Sequence, residues 1–273
     1  MLKDITLGQY FPGDSFLHRL DPRIKIISAI LYIVVIFLCK NLFSFAFITL
    51  FTLILVFASG ISVKTILKGI KPLVFILIFT TVYNVFFYDG ETLLVDIGFI
   101  DIYYEGVMYA LVMAVRIICL LVGSSVILTY TTSPIMLTDG LERLLSPLSK
   151  IKLPVHEFAM MMTIALRFIP TLIEETDKIM SAQKARGSDF SSGNLIQRAK
   201  ALVPILIPLF ISSFRRANDL AVAMECRCYR GGSGRTKMTQ LKMTYRDFIM
   251  LFVIAVSGTS VVLMNIYLPG FVI

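Results

Sequence analysis

Two arginines carry the strongest chemical signal in this sequence. They stand in Ala185-Arg186-Gly187 and Cys226-Arg227-Cys228, each a cation between small residues at the end of a long amphipathic stretch. A cation in the last helical turn complements the helix dipole. Small neighbours leave the guanidinium unobstructed, so its planar fork can meet a carboxylate on another protein with two hydrogen bonds. One such arginine is an ordinary helix end. Two of them read as paired docking tips, with Glu225 and Tyr229 as supporting residues at the second.

Motifs for bond-making chemistry are incomplete. His156-Glu157 begins like His-Glu-x-x-His, but residue 160 is Met, so the second zinc ligand is missing and His156 reads as a helix-entry histidine. The stretch from Gly231 to Lys237 is glycine-rich and basic, yet it lacks the Gly-x4-Gly-Lys-Ser/Thr order and follows a helix rather than a strand. Cys226 and Cys228 lack the two-residue spacer of common zinc and redox pairs, and Cys39 and Cys119 lie in apolar runs, so no disulfide framework is present. The expectation is a chain without catalytic residues, metal site or cofactor of its own.

The elements that must position the arginines are membrane elements. The 273 residues are 57% hydrophobic and 16% charged, with a mean hydropathy of +0.82. Soluble globular chains carry about 25% charged residues. This composition excludes a water-soluble enzyme and a disordered chain. Apolar runs cover Ile24–Cys39, Leu42–Ser59, Pro72–Tyr88, Gly106–Tyr130 and Phe248–Leu268. Only Lys40 and Asn41 separate the first two, which predicts a tight helical hairpin. No span holds an Asp, Glu or His, as an ion-coupled carrier normally would. Apart from Lys25 at the cytoplasmic edge of the first run, Arg116 is the single intramembrane charge, and it reads as binding carbonyls or as functional.

Orientation follows from Lys and Arg in the connections. With the N-terminus in the cytoplasm, Lys3, Arg19, Arg23, Lys25, Lys64, Lys68 and Lys71 all lie inside. The loop with Asp89, Glu91, Asp96, Asp101 and Glu105 then lies outside, and five spans put the C-terminus outside. Residues 132–246 lie inside and hold 17 of the 26 Lys and Arg against nine Asp and Glu. That region alone accounts for the formal net charge of +8.

Residues 132–246 are too long for a plain connection. Three helices are predicted there. The first starts at Ser133-Pro134 and is limited by Pro147 and Pro154. The second runs from Pro154, at a helix-starting position, to Arg186. The third runs from Asn194 to Tyr229. Each long helix reaches roughly 50 Å at 1.5 Å per residue, and Pro170, Pro204 and Pro208 should kink them. The apolar run Ala201–Phe214 is short for a span; a sixth and seventh span is the alternative count. The expected fold is all-α and polytopic: residues 1–131 with four spans, 132–246 as cytoplasmic helices, and 247–273 with the last span.

The chain resembles the T component, the transmembrane coupling subunit, of energy-coupling factor (ECF) transporters. The resemblance runs through Gly8-Gln9-Tyr10, Pro12-Gly13, His18-Arg19-Leu20-Asp21-Pro22-Arg23 and Thr132-Ser133-Pro134. It continues through Ala165-Leu166-Arg167-Phe168-Ile169-Pro170, Ala182-Gln183-Lys184-Ala185-Arg186-Gly187 and Ala223-Met224-Glu225-Cys226-Arg227-Cys228-Tyr229, then Arg230-Gly231-Gly232. The family's hallmark is two Ala-Arg-Gly motifs. The second keeps Arg227 here but has Cys226 for Ala and Cys228 for Gly, so the helix stop is expected to shift toward Gly231.

The resemblance implies a multi-pass subunit of a bacterial or archaeal cell membrane. Its implied partners are two ABC-type ATPases, which would hold ATP and Mg, and a small substrate-binding membrane subunit, the S component. Arg186 and Arg227 would each dock on one ATPase. Apolar faces that include Met160, Met161, Met162, Leu206, Leu209 and Phe210 would hold the S component. Methionine suits a face that accepts several partners. The resemblance implies import of vitamins or other micronutrients. The competing function is a stand-alone channel or secondary carrier. A nucleic-acid binder is disfavoured, because acidic residues alternate with the basic ones in 132–246 and aromatic residues are sparse there.

Overall fold

Asp21 and Pro22 open the first helix for local reasons. The Asp21 carboxylate accepts from the Arg23 backbone N–H at 2.9 Å, and proline at the first position loses no hydrogen bond. The computed structural model describes residues 10–88, 90, 92–96, 101–188, 190, 194–231 and 240–267. Its helices are α1 (Pro22–Leu38), α2 (Leu42–Ser59), α3 (Val63–Ile70), α4 (Val74–Phe87), α5 (Tyr104–Ser124), α6 (Pro134–Leu145), α7 (Val155–Ala185), α8 (Leu195–Cys226) and α9 (Tyr245–Tyr267). The expected all-α polytopic architecture is what the described residues show.

The chain divides into two units. Among the described residues, one comprises 10–141 and 241–267, and the other lies within 142–240.

In the first unit, α1, α2, α5 and α9 share a core that includes Ile36, Ile48, Ile127, Ile254 and Val261. Tyr32 stands at its centre. Its hydroxyl donates to Cys119 O at 2.9 Å and lies 2.6 Å from Thr52 Oγ1, which satisfies the polar end of a buried ring. A Cβ on Gly123 would come within 2.3 Å of that ring, so only glycine fits there. The predicted hairpin between α1 and α2 forms, and Asn265 of α9 clamps it. Its Nδ2 donates to Leu38 O at 2.7 Å, and its Oδ1 accepts from Ser44 Oγ at 2.7 Å.

Helix α3 and a 3-10 turn at Lys71–Leu73 lead directly into α4, because Pro72 can start a new turn but cannot continue the old one. No residue of α4 is buried. Apolar residues facing outward all round one helix suit a lipid solvent. The acidic stretch expected as a loop contains a two-stranded hairpin, Leu93–Asp96 (β1) against Asp101–Tyr103 (β2). Leu93-Leu94-Val95 and Ile102-Tyr103 carry the strand preference that its charges obscured. Asp89 and Glu91 lie outside the described residues.

Helix α5 continues into a π turn at Ser125–Thr129, where Tyr130 N–H donates to Ser125 O at 2.9 Å. The carbonyls freed at its end find partners in the N-terminal segment. Tyr130 O accepts from Phe11 N–H at 3.0 Å, and Thr131 O accepts from Lys25 Nζ at 2.8 Å. His18 folds that segment: Nε2 lies 2.9 Å from Phe11 O and Nδ1 lies 2.7 Å from Ser15 Oγ.

Among the described residues, five helical segments are long and apolar enough to cross a membrane: Leu42–Ser59, Val63–Phe87, Tyr104–Thr129, Val155–Ala185 and Tyr245–Tyr267. The number matches the five apolar runs, but the membership differs. Helix α1 has 17 residues, or ~25 Å, and falls short of a ~30 Å core by itself. Helix α7 qualifies through its length, with a mean hydropathy of 1.2 against 1.8 to 2.5 for the others.

In the second unit, α7 and α8 pair as an antiparallel hairpin. Glu175 of α7 accepts from Ser212 Oγ at 2.5 Å and forms an ion pair with Arg216, both on α8. Both long helices run through their prolines, Pro170 in α7 and Pro204 with Pro208 in α8. Asn194 and Gln197 form a capping box at the start of α8. His156 sits at the entry of α7, with Nδ1 3.0 Å from Glu142 Oε1.

Candidate docking tips

Helix α7 ends in a Schellman motif. Gly187 N–H donates to Lys184 O at 3.0 Å and Ser188 N–H donates to Gln183 O at 3.1 Å, with Gly187 in the left-handed region at φ 88°. These two bonds satisfy carbonyls the helix would leave bare. Arg186 is the residue between the last helical turn and the reversal, at φ −86° and ψ 5°.

Helix α8 ends in the same way. Cys228 N–H donates to Glu225 O at 2.8 Å and Tyr229 N–H donates to Met224 O at 3.0 Å. Cys228 takes the left-handed position at φ 56°, and Arg227 is the hinge residue at φ −91° and ψ 15°. The expected shift of the stop toward Gly231 therefore does not occur. The carbonyls of Met224 and Glu225 need the reversal at residue 228, and the chain makes it there with a cysteine. Left-handed geometry costs a residue with a Cβ about 1–2 kcal/mol.

The two arginines thus share one backbone setting. Ala185, Arg186, Gly187, Glu225, Cys226, Arg227 and Cys228 are all exposed, and Tyr229 is half-buried. Among the described residues, neither guanidinium takes part in an ion pair. Cys226 and Cys228 are free thiols. Residues 232–237 of the basic glycine-rich stretch lie outside the described residues. Among the described residues, no cluster of three or more His, Cys, Asp or Glu could hold a metal.

Apolar surface runs along the same two helices. Met161, Met162 and Phe158 of α7 are exposed, as are Leu206, Phe210 and Phe214 of α8. Met160 and Leu209 are half-buried, turned partly into their own unit. Sequence reading missed the Glu175–Arg216 pair that joins the helices, because partners 41 positions apart leave no periodic signal.

Residues 13–238 match the family described as the cobalt transport protein CbiQ. The energy-coupling factor transporter transmembrane protein EcfT of Ruminiclostridium cellulolyticum is 54% identical over 265 residues, covering 97% of this chain and 98% of the relative. The protein of the same name from Clostridium kluyveri is 58% identical over 250 residues, covering 91% and 92%. That of Bacillus subtilis is 47% identical over 247 residues, covering 90% and 93%. The chain belongs to the T-component family of ECF transporters. As a T component it is a multi-pass membrane protein and a transporter subunit. Cys228 takes the backbone conformation that Gly187 takes at the other helix end, without a glycine's ease.

Proposed function

We propose that this T component couples ATP hydrolysis in two partner ATPases to import by a substrate-binding membrane subunit. The observation that supports this is the matched pair of tips, Arg186 and Arg227, each exposed on the same reversal at the end of a helix of 31 or 32 residues. Each guanidinium would pair with acidic groups of one ATPase, where ATP and Mg are held. Closure of the ATPase pair would then pull the tips together, and the α7–α8 hairpin would carry that motion onward. The exposed stripe of Met161, Met162, Leu206 and Phe210 is the surface proposed for the S component. Half-buried Met160 and Leu209 would back it from within. The cargo is a vitamin or other micronutrient chosen by that partner. The N-terminus and residues 132–246 would face the cytoplasm of a bacterial or archaeal cell, a placement that the Lys and Arg distribution favours.

Purification of the tagged chain from its host in mild detergent tests this reading. Two ATPases and one or more small membrane proteins should accompany it. A chain that purifies alone, and transports in vesicles without ATPases, would overturn it.

A further inference from the structure

The polypeptide leaves the first unit after Leu141 and returns to it at Leu241. Both crossings are fastened to one short stretch, residues 21–25. On the outgoing side, Gly140 lies so close to Pro22 that an added Cβ would meet Pro22 Cβ at 3.0 Å and Arg23 N at 3.4 Å. On the returning side, Arg23 Nη2 donates to Leu241 O at 3.0 Å. Six residues later Asp247 divides its carboxylate between two helix starts. Oδ1 accepts from Asp21 N–H at 2.7 Å, and Oδ2 accepts from Thr244 N–H at 2.7 Å, ahead of α9. Lys25 completes the set. Its ammonium donates to His18 O at 3.2 Å and to Thr131 O at 2.8 Å, and it lies within coulombic reach of Asp21 and Asp247.

Three of the four charged residues are buried. Lys25 is 1% exposed, Asp247 2% and Asp21 6%. Arg23 Nε stands 3.5 Å from Asp21 Oδ1, so two cations face two carboxylates and the cluster is neutral. Buried charges of this kind are weak evidence for stability, because desolvation offsets much of the attraction. Their better-attested use is to fix one geometry among several. Here the geometry fixed is that of the two chain crossings.

We infer that Asp21, Arg23, Lys25 and Asp247 form the anchor through which force on residues 142–240 reaches the helices of the first unit. This rests on the coupling reading above. The four are positioning residues: they hold both crossings to α1, so displacement at either crossing moves α1, α5 and α9 together. Slackening the anchor should leave docking and hydrolysis in place while separating them from transport.

The test uses the full complex, reconstituted in vesicles with its ATPases and a riboflavin-binding membrane subunit, with radiolabelled riboflavin as the probe. Arg23→Gln removes the tie to Leu241 O, and Asp247→Asn disturbs the tie to Asp21. Each should purify with the ATPases and hydrolyse ATP as the unaltered complex does. Riboflavin imported per ATP hydrolysed should fall about tenfold, the scale of one charge-assisted hydrogen bond. Arg23→Lys, which keeps the charge, should recover part of it. An unchanged ratio in both variants would overturn the anchor and leave the docking reading standing. Loss of insertion or of ATPase association in both would also overturn it, by assigning the cluster to folding. An unaltered chain that binds no ATPases, or that imports nothing in an ATP-dependent way with the small membrane subunits that purify with it, would overturn the coupling reading and the anchor with it.

Discussion

Cys228 adopts at the end of α8 the left-handed conformation that Gly187 adopts at the end of α7, φ 56° against 88°. The two residues close equivalent reversals, each one position after an exposed arginine. A substitution that looks disruptive in sequence is thus absorbed without moving the tip.

Cys228→Gly should relieve that strain and raise the stability of the α8 end by about 1 kcal/mol. Gly187→Ala should cost a similar amount at α7. Hydrogen exchange of the Tyr229 and Ser188 amides, which close the two reversals, reads both changes locally.

Arg186→Ala and Arg227→Ala should each leave the protein inserted and weaken ATPase association. Truncating one partner of a desolvated pair in the complex costs on the order of 2–5 kcal/mol. The double substitution should be worse than either alone. Co-purification with the ATPases, measured against membrane-inserted protein, decides this; full association of the double variant would refute the docking tips.

The arginine tips, the helix order and the positions of the two long helices were legible in the sequence because each depends on local signals: apolar periodicity, prolines, and glycine or small residues at ends. The buried cluster of Asp21, Arg23, Lys25 and Asp247 was not, although all four residues lie near apolar runs. Asp21 and Asp247 are 226 positions apart, and pairing at that distance is set by packing. The stop at Cys228 was misjudged for a related reason. Local preference favours glycine at the reversal, but the hydrogen bonds of Met224 and Glu225 fix where the reversal must fall. Membership of the spanning helices shifted because α1 has only 17 residues, while α7 reaches 31.

Gly123→Ala should destabilise the α1–α2–α5 core by roughly 1–3 kcal/mol, since its Cβ would overlap a Tyr32 ring held by two polar contacts. Tyr32→Leu in the same chain should recover part of the loss, so the two changes are non-additive. Thermal unfolding of detergent-purified protein measures this. Additive losses would show that the ring and the glycine do not collide.

Arg116 lies 4.7 Å over the Phe45 ring, and its Nη2 donates to Cys39 O at 3.3 Å at the end of α1. Arg116→Gln should therefore loosen the α1–α2 hairpin, by about 1–3 kcal/mol for a charged hydrogen bond and a cation over a ring. ATPase association should stay unchanged. Cysteine accessibility at Cys39, which is buried in the intact protein, reports the loosening. Equal protection of Cys39 in the variant would contradict it.

The π turn at Ser125–Thr129 bears on how the gene can vary in length. One extra residue per turn there advances everything downstream by ~100° around the helix axis. Deleting a single codon within the turn would restore regular winding and swing Thr131 O away from Lys25, with Ser133 and Pro134 behind it. Length variants of this protein should therefore be purged from residues 125–129.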